Sequence, residues 1–191
     1  IHAKNSSVNK ALYEKAKSAN LTAADLKPIE HFVPPVHELL VGKLHSNVRL
    51  AIHDLPGLND AQTKNIYYEY VTNNFHKYNI VILVLDVTSG MNTNDEKDIL
   101  TLIANCISKN KAIYGIETSL IIAINKCDDM KIKDHNSSET VPTDPEYVTM
   151  VKQVRTTVES VIAAHPNIQA RFACISAEDA YIYRMYSRNP K

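Results

Sequence analysis

No apolar run in this chain approaches the ~20 residues that a membrane-spanning helix requires, and Ile1 opens no basic-then-apolar leader of the secretory kind. Cysteine is scarce. Cys106, Cys127 and Cys174 are odd in number and carry no paired spacing, which excludes a disulfide scaffold and predicts a reduced, cytoplasmic setting. Net charge is absent too, with 21 basic against 21 acidic residues, so no global field draws in nucleic acid or anionic lipid. The 8 histidines show no metal-ligand spacing. Residues 1–7 contain no glycine, so no glycine-rich phosphate-cradling loop is complete at the start of the chain.

What is present reads as alternating strands and helices within one domain, the size that 191 residues support. Ser6-Ser7 ahead of Val8, Ala11, Leu12 and Ala16 predicts a capped amphipathic helix. Pro28, Pro34 and Pro35 bar regular structure near the end of the stretch that follows. Residues 37–44 and 48–53 predict two strands joined by a turn too short for anything but antiparallel pairing. Residues 60–78 carry a helical apolar stripe through Ile66, Tyr70, Val71 and Phe75. The uninterrupted run of residues 80–85 (IVILVL) predicts a strand covered on both faces. Thr93 and Glu96 form the ends of a capping box ahead of a helix. A strand over 119–124, a polar insertion over 131–143, a helix from Pro145 to about Ala164 and a strand over 172–175 complete the reading. Ser176 and Asp179 then cap a last helix. The expected fold is an α/β three-layer sandwich, with a mostly parallel sheet and one antiparallel edge hairpin.

Three short segments carry chemistry, and each ends an expected strand, where open α/β sheets bind ligands. Asn125-Lys126-Cys127-Asp128 is the sharpest. The Asp128 carboxylate can accept two hydrogen bonds from guanine, whose N1–H and 2-amino group point the same way. Adenine offers no such pair and would leave the charge unanswered. Asn125 would tie the loop to its strand and reach the base, while the aliphatic stem of Lys126 would lie along the ring. Asp54-Leu55-Pro56-Gly57 is the second. Asp54 can hold magnesium through a water, and Gly57 offers a backbone N–H to a terminal phosphate. Ser176-Ala177 is the third, with the Ala177 N–H available to the guanine oxygen. Cys127 and Cys174 lie beside this expected pocket, with nothing near them in sequence to lower a thiol pKa.

With these motifs the chain resembles a P-loop GTPase domain, and among those the dynamin-like large GTPases. LAIHDLPGLND (50–60) looks like their magnesium and γ-phosphate motif, and IIAINKCDDM (121–130) like their base-specificity motif. The 71 positions from Asp54 to Asn125 also suit large GTPases better than small ones. The resemblance implies GTP or GDP with Mg²⁺ as ligand, and a longer parent that self-assembles or works on a membrane through regions outside this chain. It also aligns Lys4 to Leu12 with the family's G-K-S-S-L-I-N-A-L. That places Ser6 at the magnesium-binding hydroxyl, Ser7 beside it, Lys4 at a glycine and Asn5 at the essential lysine. Thr22 stands as the candidate switch threonine for the metal.

The expectation is therefore a cytoplasmic guanine-nucleotide-binding domain over 1–191, cut short before its first strand and within its last helix. GTP hydrolysis would belong to its full-length context, and the catalytic residue is not identified. The rival is a pseudo-GTPase, an interaction module that keeps the fold and binds nucleotide weakly or not at all.

Overall fold

The computed structural model describes residues 51–55, 64–128 and 145–176. The chain falls into two compact units, Ile1–Val71 and Thr72–Lys191. In the first unit, residues 51–55 carry no regular structure, and Ala51 to Asp54 are exposed, Ile52 to 83%. This corrects the expectation of a buried strand ending at Asp54. The antiparallel hairpin is not seen among the described residues, its segments before residue 51 lying outside them. Helix α1 (Lys64–Asn74) contains the division between the units, and a single 3-10 turn, Phe75–Lys77, follows it.

The second unit is built as two successive βαβ crossovers. Its described elements are β1 (Ile80–Asp86), α2 (Asn94–Tyr114), β2 (Ser119–Asn125), α3 (Pro145–Ile162) and β3 (Ala170–Cys174). The strands pair in parallel in the order β1-β2-β3, with Asp86 opposite Asn125 and Ile124 opposite Cys174. Parallel neighbours need a long crossover between them, and α2 and α3 provide it. The α/β class and the parallel sheet of the sequence reading hold for this unit. The strand boundaries differ from those expected by at most two residues at either end.

Local chemistry explains the elements. Thr93 caps α2 in the capping box expected from sequence, its hydroxyl accepting from the Glu96 N–H at 3.3 Å while Glu96 Oε2 accepts from the Thr93 N–H at 3.4 Å. Gly115 ends the helix at φ 66°, a left-handed turn that costs glycine little, with its N–H on the Lys111 carbonyl. Pro145 opens α3, where a missing N–H costs nothing.

Alternation along the strands sends Leu85, Leu120, Ile122 and Ile124 to one face, all buried. Val154 and Val158 of α3 and Leu100 and Ala104 of α2 are buried as well, and the two helices pack against one another. The Arg155 guanidinium lies 5.0 Å over the ring of Phe172, which fixes α3 above the β3 end of this face. Burying the leucine, isoleucine and valine side chains of this core stabilises the unit by roughly 1.5–3 kcal/mol each. The opposite face differs from expectation. Ile80, Ile82 and Val84 are each more than half exposed, so among the described residues β1 is covered on one face and not on both.

At the amino end of the sheet a short polar chain replaces apolar packing. Asn110 Nδ2 donates to Thr118 Oγ1 at 3.1 Å, and that hydroxyl donates to the Tyr78 carbonyl at 2.9 Å. Asn110 and Thr118 are buried, so each needs the other to answer its polar atoms. No helix among the described residues is long and apolar enough to cross a membrane.

Candidate functional site at the carboxyl edge of the sheet

All three strands point their carboxyl ends the same way, and the polar residues that end them meet there. β2 hands over at Asn125 to a loop stitched to both neighbours. The Asn125 carbonyl accepts from the Val87 N–H at 3.1 Å on the β1 side, and the Cys127 N–H donates to the Ile175 carbonyl at 3.2 Å on the β3 side. The Ile175 N–H donates in turn to the Ile124 carbonyl at 2.8 Å. Lys126, between these ties, adopts φ 63°, a left-handed conformation that a residue with a Cβ holds only where its surroundings insist.

That backbone turn carries the Lys126 side chain across to β1, where Nζ lies 2.5 Å from Asp86 Oδ2. Thr88 adds its N–H at 2.9 Å and its hydroxyl at 2.7 Å to Asp86 Oδ1. Lys126 first, and Thr88 after it, hold the Asp86 carboxyl down at about 2. On the other side, Ser176 Oγ donates to Asp128 Oδ1 at 2.8 Å, joining residues 48 positions apart. Asp128 and Ser176 are half-buried. The Ser176 hydroxyl gives the Asp128 carboxylate a defined orientation.

The β1–α2 loop supports the edge. Ser89 Oγ bonds the Asp86 carbonyl at 2.9 Å and Glu96 Oε1 at 2.6 Å, which ties the loop to the capping box of α2. Gly90 and Met91 both take positive φ, 59° and 57°. A Cβ on Gly90 would meet Asn92 Nδ2 at 3.1 Å and Gln153 Nε2 at 3.3 Å. Met91 is fully buried there, a side chain adaptable enough to fill an irregular gap.

Of the residues singled out from sequence, the fold brings Asn125, Lys126, Asp128 and Ser176 to one edge. Asp54 belongs to the first unit and is exposed. Ser6, Ser7, Thr22, Gly57 and Ala177 lie outside the described residues, as do the polar insertion over 131–143 and the last helix. No group of three or more histidine, cysteine, aspartate or glutamate side chains that could hold a metal occurs among the described residues. Sequence reasoning missed Asp86 and Thr88. The signal was available, because IVILVLD ends an apolar run on an aspartate just as LAIHD does.

The chain is similar to one protein of Acanthamoeba polyphaga mimivirus, "Uncharacterized protein R618", at 24% identity over 150 residues. The match covers 74% of this chain and 23% of that protein, so the chain spans about a quarter of its length. No protein-family model matches the chain, and neither does any solved structure.

Proposed function

We propose that this chain is a guanine-nucleotide-binding domain of the dynamin-like GTPase kind, with Asp128 reading the base. The observation that carries the reading is the half-buried Asp128 carboxylate, oriented by Ser176 from the neighbouring strand end at the carboxyl edge of a parallel sheet. On this reading Asn125 and Lys126 shape the base pocket, and the Ala177 N–H answers the guanine oxygen. Asp54 and Gly57 serve the magnesium and γ-phosphate end. Ser6, Ser7 and Thr22 complete the phosphate and metal contacts, with GTP or GDP and Mg²⁺ as ligands. Hydrolysis of GTP, self-assembly and any work on a membrane belong to the longer protein.

Titration with fluorescent GDP and fluorescent ADP in Mg²⁺ buffer tests the assignment. Guanine preference of at least tenfold, about 1.4 kcal/mol, is the expected outcome, and equal affinities overturn it. The rival reading, an interaction module that retains the fold, is favoured by Lys4 and Asn5 at positions where the family places a glycine and a phosphate-binding lysine. An amide brings no positive charge to the phosphates. Binding of neither nucleotide would favour that module.

A further inference from the structure

Two of the three cysteines converge at the same edge. Cys174 is the last residue of β3 and stands opposite Ile124 in the ladder. Three residues beyond Ile124, Cys127 turns back so that its thiol donates to the Ile124 carbonyl at 3.3 Å while its N–H holds the Ile175 carbonyl. The loop is thus tied to the end of β3, and the Cys127 thiol, folded back onto the Ile124 carbonyl, lies beside Cys174. A disulfide spans Cα separations of roughly 4.4–6.8 Å, and the Cys127 N–H bond to Ile175, the neighbour of Cys174, brings the two backbones together at this edge. We propose that Cys127 and Cys174 are a modification site, a dithiol that peroxide converts reversibly to an intramolecular disulfide stapling the 125–128 loop to β3.

The two sulfurs have different parts in this step. Cys174 is the more accessible, whereas Cys127 is buried. Burial pushes the Cys127 thiol up to about 11, with the neighbouring Cys174 adding to the effect, so it keeps its proton at neutral pH. Hydrogen peroxide therefore oxidises Cys174 first, its sulfur taking one peroxide oxygen to give a sulfenic acid with release of water. The Cys127 sulfur then attacks the sulfenic sulfur. The S–O bond breaks, and the departing hydroxyl takes up the Cys127 proton and leaves as a second water. Two thiols lose two electrons and two protons, and one peroxide becomes two waters. A dithiol reductant reverses the bridge by exchange. Cys106 takes no part, because it packs elsewhere, against Thr72.

The test is a peptide map of the whole chain after peroxide treatment sufficient to oxidise free glutathione, with remaining thiols trapped by N-ethylmaleimide. Trypsin releases Cys127 on residues 127–131, Cys174 on 172–184 and Cys106 on 98–109. The expected product joins 127–131 to 172–184, disappears on dithiothreitol treatment, and leaves Cys106 alkylated. The oxidised chain should also melt at a higher temperature than the reduced one. Recovery of Cys127 and Cys174 as separate alkylated or over-oxidised peptides overturns the proposal, as does a bridge that includes Cys106. Cys127→Ser should leave Cys174 as an unbridged sulfenic or sulfinic acid, and a persistent intramolecular bridge in that variant would also overturn it.

Discussion

Lys126 Nζ lies 2.5 Å from Asp86 Oδ2, so the loop that ends β2 is anchored by its lysine to the end of β1. Its middle is tied through Cys127 to β3. The positive φ of Lys126 follows from serving both ties at once. A lysine held in this way presents its aliphatic stem in one direction, as a residue flanking a planar base requires.

The pair's strength can be measured by a double-mutant cycle. Lys126 is 63% exposed in its side chain and Asp86 30%, so solvent screens the attraction. Urea unfolding of Asp86→Asn, Lys126→Met and the double variant should give a coupling of about 0.5–1 kcal/mol. Additive effects would show that the pair contributes nothing to stability.

The same carboxylate predicts an acid limb. Asp86 titrates at about 2 in the folded chain against an ordinary 3.8, so its contribution is present above 3.8 and is lost as pH falls from there through about 2. Thermal melts of wild type and Asp86→Asn should therefore differ by about 1 kcal/mol at neutral pH and converge as pH falls through that window. A constant difference would assign the effect to packing.

Asp128→Asn should exchange guanine preference for xanthine. An amide can donate to the xanthine 2-oxo group where the carboxylate could only accept from a 2-amino group. Competition of fluorescent GDP by XDP reads the change, and unaltered guanine preference in the variant would remove Asp128 from base recognition.

Asp54→Ala should weaken Mg²⁺-dependent binding of GTP analogues more than that of GDP. On the proposed reading Asp54 senses only the γ-phosphate end and its ion. Calorimetric titrations with both nucleotides decide it, an equal loss marking Asp54 as structural.

Thr93→Ala removes the hydroxyl that accepts from the Glu96 N–H and should lower stability by about 1 kcal/mol. Guanidinium unfolding monitored by circular dichroism measures it. Thr93→Ser should restore most of the loss, because it keeps the accepting oxygen.

The sequence by itself determined what depends on short-range chemistry. The capping box at Thr93 and Glu96, the proline at the start of α3, and the apolar runs of β1 and β2 are each decided by neighbours within a few residues. Asn125, Lys126, Asp128 and Ser176 were legible as candidates because polar residues closing apolar runs fall where a parallel sheet exposes its ends. Only the tertiary structure decided the partners. Nothing local tells Lys126 that Asp86, 40 positions earlier, will stand in the adjacent strand, nor that Ser176 will reach Asp128. The convergence of Cys127 with Cys174 depends likewise on strand register. Burial was misread for the same reason. An apolar run predicts a strand, but whether Ile80, Ile82 and Val84 are covered depends on what packs over that face, which lies beyond the reach of periodicity.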